Sequence, residues 1–232
     1  MGSLIFRNEA CLVLNKLPGE SSELPVFEEP GIGKIFPVHR LDTPVSGCLL
    51  LAVDEKAAGF LSAAFAGQGR VEKRYWAIVE KPKGGINISA EAELIHWIGG
   101  DKKANKSYAF PSAEGNAKNA GRKLKKAVMR YRLAGQGDNY LFLEIDLVSG
   151  RHHQIRAQLA ALGLHIKGDL KYGARRSEKS GGIRLHAHSL VFPDPLGGGK
   201  ITVKALPPEM DSLWAAFAQA VLGFLRSTSK LD

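Results

Sequence analysis

A carboxylate at the entrance to an apolar run is the first place where this sequence could carry chemistry. Asp42 lies in the segment His39-Arg40-Leu41-Asp42-Thr43-Pro44, and the apolar run Leu49 to Val53 follows after Ser46-Gly47. A charged side chain in a turn beside a rigid buried strand is well placed to act as an acid, a base or a nucleophile. Asp also favours turns because its side chain can cap them. This segment alone therefore leaves a catalytic and a structural role open for Asp42.

A second candidate is an arginine at the start of an amphipathic segment. The spacing predicts a helix over residues 151–162, closed by Gly163, whose apolar face begins at Ile155. Arg151 lies four residues before Ile155, so the pattern directs it inward, where a guanidinium needs a carboxylate or a phosphate. Asp42 is a candidate partner. The alternative is that Arg151 lies at the helix start and turns to water.

Histidines occur in two groups, His152-His153 and His186-Ala187-His188. Adjacent histidines on a helix diverge by about 100°, and no Asp or Glu lies within four residues of either group. Zinc sites usually need three or four convergent ligands, so we predict no metal site. On the predicted helix, His152 and Arg156 share a second face that would meet RNA or solvent.

The charge balance points to an acidic partner. The chain has 232 residues, 44% of them hydrophobic, and carries 32 Lys and Arg against 23 Asp and Glu, a net charge of +9. This composition excludes a disordered or collagen-like chain and is sufficient for a full-sized core. Residues 102–132 hold ten Lys or Arg and one acid, Glu114, with Tyr108, Phe110 and Tyr131 among them. The stretch is either a solvated charged surface or a phosphate-binding footprint.

The elements that must position these residues are mostly strands. Strands are predicted at residues 11–14, 49–53, 75–79, 92–98, 128–133, 140–148, 185–192 and 201–204, and helices at 55–66, 151–162 and about 211–225. Residues 18–37 and 101–126 are predicted as loops. Short turns join neighbouring strands, which favours an α+β fold with a mainly antiparallel mixed sheet flanked by helices.

Several classes of protein are excluded or disfavoured by what the sequence lacks. No signal peptide is visible, and the longest uncharged apolar segment, residues 213–225, is shorter than the roughly 20 residues that cross a bilayer. The two cysteines, Cys11 and Cys48, form no CxxC pair. No GxGxxG or P-loop motif is present. We therefore expect a soluble, cytoplasmic protein that does not associate with membranes.

Taken together, the motifs resemble those of the RluA-type RNA pseudouridine synthases, in the order in which that family has them. His39-Arg40-Leu41-Asp42 with Ser46-Gly47 is similar to the nucleophile motif, Lys73 to Val79 to the tyrosine strand, and Gly150 to Arg156 to the arginine motif. Gly168-Asp169 with Lys171-Tyr172-Gly173, and Leu185-His186-Ala187, also follow the pattern. Val45 and His152 depart from the usual residues, and Leu17 interrupts a Lys-Pro pair, but none of these belongs to the presumed catalytic set. The resemblance covers roughly residues 5–205.

The resemblance implies a function and a set of roles. The chain would be a single catalytic domain over residues 1–232, with a central cleft and no separate N-terminal RNA-binding module. It would act as a monomer on structured transfer or ribosomal RNA, isomerising uridine to pseudouridine without a cofactor. Asp42 would be the catalytic carboxylate, Tyr75 would stack on the flipped base and Arg151 would keep Asp42 charged. Substrate contacts would come from Arg40, His39, Ile155 and Leu185.

Two other functions remain open from the sequence. The same fold could be a non-catalytic RNA-binding module that uses only its basic surface, but such a module has no need of Asp42, Tyr75 and Arg151 together. A metal hydrolase built on the histidine pairs lacks nearby carboxylates. The choice of RNA, and whether Asp42 acts as nucleophile or as base, is left open.

Overall fold

The computed structural model describes residues 2–23, 33–67, 70–82, 88–113 and 123–228. These residues form eleven strands and three α-helices, and the chain divides into two compact units. The first unit comprises residues 1–75 and 178–208, and the second comprises residues 76–177 and 209–232. The strand Glu72–Glu80 carries the chain from one to the other.

The first unit is a small mixed sheet with one helix. Its strands are β1 (Ser3–Arg7), β2 (Cys11–Lys16), β3 (Phe36–Pro37), β4 (Ser46–Ala52), β10 (Leu185–Pro193) and β11 (Lys200–Lys204). Strand β4 pairs antiparallel with β2 and β3 and parallel with β10, and β1–β2 and β10–β11 are antiparallel. All seven residues of β4 are buried, which explains its unbroken apolar run.

Helix α1 (Glu55–Ala66) packs against β4 and confirms the prediction from sequence. The Asp54 side chain accepts a hydrogen bond from the Ala57 amide at 2.7 Å, and the Gly67 amide donates to the Ala63 carbonyl at 3.0 Å. The first is the N-cap contact that Asp provides, and the second gives one carbonyl of the last turn a partner from the residue that follows the helix. Leu61 and Ala57 pack into the core of this unit with Leu50 and Phe192.

The second unit is built on antiparallel strands. In sheet order these are β5 (Glu72–Glu80), β9 (Tyr140–Leu147), β8 (Lys125–Gln136), β6 (Glu91–Asp101) and β7 (Lys106–Phe110). Helix α2 (Gln154–Ala161) packs against β6 and β7, and α3 (Ser212–Thr228) against β8. Trp214, Phe217 and Val221 of α3 form a core with Trp76 and Phe142. The mixed, mainly antiparallel α+β class is confirmed.

Three predictions about elements are wrong. Residues 101–126 are not all loop, because Lys106–Phe110 forms β7 and β8 begins at Lys125. Helix α2 begins at Gln154, three residues later than predicted, because His153 adopts a left-handed conformation with φ 52°. The predicted loop at 18–37 ends in a short strand, since Phe36–Pro37 forms β3. Residues 24–32 of that loop, and Glu114 to Arg122 of the basic stretch, lie outside the described residues.

Candidate active site

Asp42 lies in a turn that closes directly before β4. The Val45 amide donates to the Asp42 carbonyl at 2.9 Å, which closes the turn. Ser22 ties down the preceding residue, since its hydroxyl donates to the Leu41 carbonyl at 2.9 Å and accepts from the Leu41 amide at 3.0 Å. Asp42 is half-buried and Leu41 is buried. The candidate carboxylate is therefore carried on a backbone that is fixed on both sides.

A buried ammonium group supports the same turn. Lys16 is 1% exposed, and its Nζ donates to the carbonyls of Leu17 at 2.8 Å, Glu20 at 3.1 Å and Thr43 at 3.2 Å. Burial lowers the pKa of Lys16 to about 8, and the negative charges of Glu20 and Asp42 oppose that shift. Sequence reasoning did not single out Lys16. The available signal was its position at the end of β2, two residues after Leu14. Alternate residues of a strand share a face, so Lys16 is expected on the buried face of Leu14.

The start of β4 is anchored to β10 by a serine, a histidine and a glycine. Ser46 Oγ lies 2.9 Å from His186 Nδ1, and His186 Nε2 lies 3.0 Å from the Ala205 carbonyl. The carbonyl can only accept, so Nε2 carries the proton and the Ser46 hydroxyl donates to Nδ1. Gly47 has φ 115°, and a Cβ there would lie 2.3 Å from the Ala187 carbonyl oxygen. The Ser-Gly of the motif is thus required by the close approach of β4 and β10.

Tyr75 lies in β5, at the end of the first unit, and is 8% exposed. Burial raises the pKa of its phenol above the ordinary value, and the negative charge of Asp42 raises it further. The structure therefore brings Asp42 and Tyr75 into electrostatic contact. The phenol stays protonated over the physiological range and can stack or donate a proton, but it does not serve as a base.

His39 and Arg40 lie in the same loop and have different surroundings. His39 Nε2 accepts a hydrogen bond from the Leu50 amide at 2.9 Å, and its ring stacks on Phe65 with centroids 4.5 Å apart. Burial, together with the charge of Lys73, lowers the pKa of His39 to about 3. Arg40 is exposed and lies 3.6 Å from Glu23. Of these two side chains, Arg40 is the one exposed to solvent.

In the second unit, Arg151 does not lie on the apolar face of a helix. It precedes α2 and is exposed, its Nε donates to the Lys126 carbonyl at 3.2 Å, and its amide donates to Gln154 Oε1 at 3.0 Å. The inward orientation predicted from the helical spacing is wrong, because the helix has not yet begun at Arg151. Ile155, inside α2, is 4% exposed, and Leu185, in the first unit, is 3% exposed. Both predicted pocket residues are thus buried.

Arg156 is buried, contrary to the prediction that it faces RNA or solvent. Its Nε lies 2.6 Å from Asp169 Oδ2 and its Nη2 lies 2.8 Å from Oδ1, and the two side chains are 5% and 1% exposed. This two-pronged pair is the geometry in which a buried guanidinium is best compensated. Sequence reasoning missed it because the carboxylate comes 13 residues later, in the Gly168-Asp169 motif.

The pair belongs to a network that fixes the segment before α2. The Arg156 guanidinium lies 4.8 Å from the centre of the Tyr172 ring, and the Tyr172 hydroxyl lies 3.0 Å from His153 Nδ1. The same hydroxyl accepts from the Ser107 amide at 2.8 Å, and Ser107 Oγ lies 2.9 Å from His152 Nδ1. Both histidines that follow Arg151 are therefore held by side chains of this network.

The described residues contain no group of three His, Cys, Asp or Glu side chains that could hold a metal ion. His186 and His188 both direct a ring nitrogen to the Ala205 carbonyl, at 3.0 and 2.8 Å, and burial lowers the pKa of each to about 4. Within the same described part of the chain, no helix is long and apolar enough to cross a membrane.

Comparison with known proteins identifies the family. A family model described as RNA pseudouridylate synthase matches residues 16–161. The chain is 36% identical over 188 residues to the tRNA pseudouridine synthase C of Haemophilus ducreyi, covering 78% of this chain and 74% of that protein. It is 30% identical over 185 residues to the uncharacterized RNA pseudouridine synthase YlyB of Bacillus subtilis, covering 79% of this chain and 54% of that protein.

A solved structure shows the same fold. Human RNA pseudouridylate synthase domain containing 1 superposes with a TM-score of 0.71 and 24% sequence identity, over 95% of this chain and 94% of that one. The family model spans more than half of the chain and includes the Asp42 turn, Tyr75 and Arg151. The chain therefore belongs to the RluA-type family of RNA pseudouridine synthases and is an isomerase that acts on RNA.

Proposed function

We propose that Asp42 is the catalytic carboxylate of this synthase and that its substrate is a uridine in a transfer RNA. The observation that carries the proposal is the Asp42 turn itself, where Lys16 and Ser22 hold the carbonyls of Thr43 and Leu41 on either side of Asp42. The half-buried carboxylate of Asp42 also interacts with a protonated tyrosine. A turn that only needed a cap would not require a buried cation beneath it. The choice of transfer RNA is supported by the name of the relative from H. ducreyi.

The chemistry is an isomerisation in which no group enters or leaves. The bond from ribose to N1 of uracil breaks, the base turns, and the ribose carbon bonds to C5, which loses its hydrogen while N1 gains a proton. A stacked base is inaccessible, so it must first be flipped out of the RNA. Asp42 acts at this stage as a nucleophile or as a base. The balance of atoms leaves no step that needs an oxidant or a group donor.

The other site residues take complementary roles. Tyr75, protonated and buried, provides an aromatic face for the flipped uracil. Ile155 and Leu185 supply apolar surface for the base. Arg151 is exposed and therefore accessible to an anionic group, and the role proposed for it is to keep the catalytic carboxylate ionised.

Arg40 is the loop residue best placed to fill the space that the flipped base leaves, because its side chain is 64% exposed. For His39, the hydrogen bond from Leu50 and the stacking on Phe65 support a positioning role in the loop. We expect its replacement to act through the Asp42 turn, whereas replacement of Arg40 weakens RNA binding directly.

The decisive variant is Asp42→Asn, which preserves size and removes the charge. With transfer RNA transcripts that carry tritium at uridine C5, tritium release follows formation of the new carbon–carbon bond. We expect the rate to fall by more than about 1,000-fold, as for other catalytic carboxylates and nucleophiles, while RNA affinity changes by a few fold at most. Asp138→Asn, in the exposed turn between β8 and β9, is the matched control and should retain activity. Full activity of Asp42→Asn would overturn the proposal.

The RNA class is tested in cells. Pseudouridines are mapped in total RNA from cells with and without the gene, and we expect a site in a transfer RNA to disappear. Loss of a site in ribosomal RNA would overturn the choice of transfer RNA but not the role of Asp42.

A further inference from the structure

One face of the β6–β7–β8 sheet is covered by α2. Gln158 of α2 donates from Nε2 to the Leu94 carbonyl at 3.1 Å and lies 3.1 Å from His96 Nδ1. On β7, Ser107 turns to the same side and meets His152. Successive side chains of a strand point to opposite faces. Ile95, Trp97 and Tyr108 therefore lie on the face that α2 does not cover.

The strand register makes this second face continuous. Trp97 is opposite Phe110 of β7 and opposite Lys126 of β8, and Ile95 is opposite Val128. We call the set the aromatic–basic face. Its members are Glu93, Ile95 and Trp97 of β6, Tyr108 and Phe110 of β7, and Lys126, Val128 and Arg130 of β8.

The aromatic–basic face is open to solvent. Ile95 is 46% and Tyr108 36% exposed, and Trp97, Phe110 and Val128 are half-buried. Among the described residues, α3 approaches β8 at its far end, where Ala220 lies against Gly135. Three aromatic rings and two aliphatic side chains thus lie together at the surface of one sheet. Exposed apolar patches of this kind are unusual and mark interaction sites.

The charge around the rings is mainly positive. Lys126 and Arg130 lie on the face, Lys106 Nζ lies 5.5 Å from the centre of the Tyr108 ring, and Lys102 and Lys103 are exposed in the turn that precedes β7. The acids on these strands are outnumbered, and Glu93 is paired with Arg130 at 2.8 Å. Aromatic rings interleaved with cations match single-stranded RNA, whose bases have π faces and whose backbone is anionic.

The strand that carries Lys126 also contacts the candidate catalytic arginine. The Arg151 guanidinium is hydrogen-bonded to the carbonyl of Lys126, which lies opposite Trp97. The contact joins Arg151 to the backbone of β8, the strand that presents Lys126 and Arg130.

We propose that the aromatic–basic face binds nucleotides of the RNA that flank the target uridine, with bases stacked on Trp97 and Tyr108 and phosphates held by Lys126 and Lys106. The proposal rests on the proposed function for the identity of the RNA, and it adds a second contact region beyond the Asp42 and Tyr75 site. It assigns a role to Lys106, Tyr108 and Lys126 of the predicted phosphate-binding stretch.

Intrinsic fluorescence gives a direct test. The chain has three tryptophans, of which Trp76 and Trp214 are 4% and 5% exposed in the core around Phe217. Quenching by a uridine oligoribonucleotide of about ten nucleotides, a length within the range of single-stranded sites, would thus report on Trp97. We expect the full chain to be quenched and Trp97→Phe to lose the quench, while its Kd, measured by anisotropy of a labelled oligonucleotide, stays within about twofold because phenylalanine still stacks.

A truncated side chain measures the contribution of stacking. Trp97→Ala should raise the Kd about tenfold, the usual effect of removing one stacking ring. Phe60→Ala, on α1 of the first unit and 45% exposed, is the control and should bind as the unaltered chain does. If Trp97→Ala unfolds, Trp97→Phe and its quench decide the question.

The outcomes separate this proposal from the catalytic one. An unquenched chain that binds the oligonucleotide, or equal Kd values for Trp97→Ala and Phe60→Ala, would overturn the aromatic–basic face, even if tritium release is normal. A quenched chain with no tritium release from any RNA would leave the face supported and overturn the proposed function. Quenching of Trp97 fluorescence by an added protein fraction, with no response to the oligonucleotide, would also overturn the aromatic–basic face as an RNA site.

Discussion

Lys16 shows how one buried charge can fix the turn that carries the proposed catalytic carboxylate. Its ammonium group donates to three carbonyls, one of them that of Thr43, which follows Asp42. An ammonium has three donor hydrogens, so all three are used here. Asp42 attracts this cation, which means that the protonation state of Lys16 and the geometry of the Asp42 turn are coupled.

This coupling predicts opposite effects of alkaline pH on activity and on stability. As pH rises through about 8, the folded chain loses the Lys16 cation, so one carbonyl loses its donor and the rate of pseudouridine formation falls. The unfolded chain keeps its proton to an ordinary pKa near 10.5. Between about pH 8 and 10.5 the unfolded state thus binds more protons, and the contribution of Lys16 to the free energy of unfolding rises with pH.

Lys16→Met isolates the effect of the ammonium group, because methionine fills a similar volume and has no hydrogen-bond donor. We expect a lower rate with no alkaline limb near pH 8. We also expect a loss of about 3 kcal/mol in the free energy of unfolding, since three carbonyls lose a charged donor. Urea unfolding and pH–rate profiles measure both quantities, with the exposed Lys34→Met as control. An alkaline limb that persists in Lys16→Met would show that another group titrates there.

At the scale of elements, the buried Arg156–Asp169 pair joins α2 to the segment that follows it. We predict that Arg156→Met loses about 3–5 kcal/mol in the free energy of unfolding, because the Asp169 charge is left buried without compensation. The double variant Arg156→Met with Asp169→Leu should recover much of that loss, since an apolar pair of similar volume carries no desolvation cost. Urea unfolding of the two variants decides. A double variant no more stable than the single one would contradict this account.

Some elements follow from local sequence and others do not. Helix α1 could be predicted with its bounds because helix-forming residues and Gly67 are local signals. The structure adds a cap at Asp54, also within four residues. Strand β7 was missed because Lys106-Ser-Tyr-Ala-Phe is short and lies in a polar stretch. Antiparallel pairing with β6 stabilises this strand where local strand propensity is weak. The start of α2 depends on the left-handed His153, which Tyr172 holds from 19 residues away.

The candidate site shows the same division. The motifs around Asp42, Tyr75 and Arg151 could be recognised because each is contiguous in the sequence. The contacts that fix them join distant residues, such as Lys16 with Thr43 and Ser46 with His186. Long-range hydrogen bonds leave no periodic signature, so the resemblance could suggest the roles but not the support behind them.

At the scale of the whole molecule, the net charge of +9 has a use that composition alone could not assign. Cations of the second unit, among them Lys102, Lys103, Lys126 and Arg130, lie on or next to the aromatic–basic face. Lys56, on α1 of the first unit, is also exposed, but only one aromatic residue, Phe60, lies four residues away from it on that helix. If the face binds RNA, the positive charges should not contribute equally.

Salt titration tests this distribution. A protein that neutralises about four phosphates loses roughly 100-fold in affinity between 50 and 200 mM salt, because condensed counterions are released on binding. We expect a fall of that order for transfer RNA, with Lys126→Gln reducing the slope of log affinity against log salt by about one. Lys56→Gln should leave the slope unchanged. Equal slopes for the two variants would place the phosphate contacts elsewhere, and a flat response of the unaltered chain would show that its positive charge does not bind the RNA backbone.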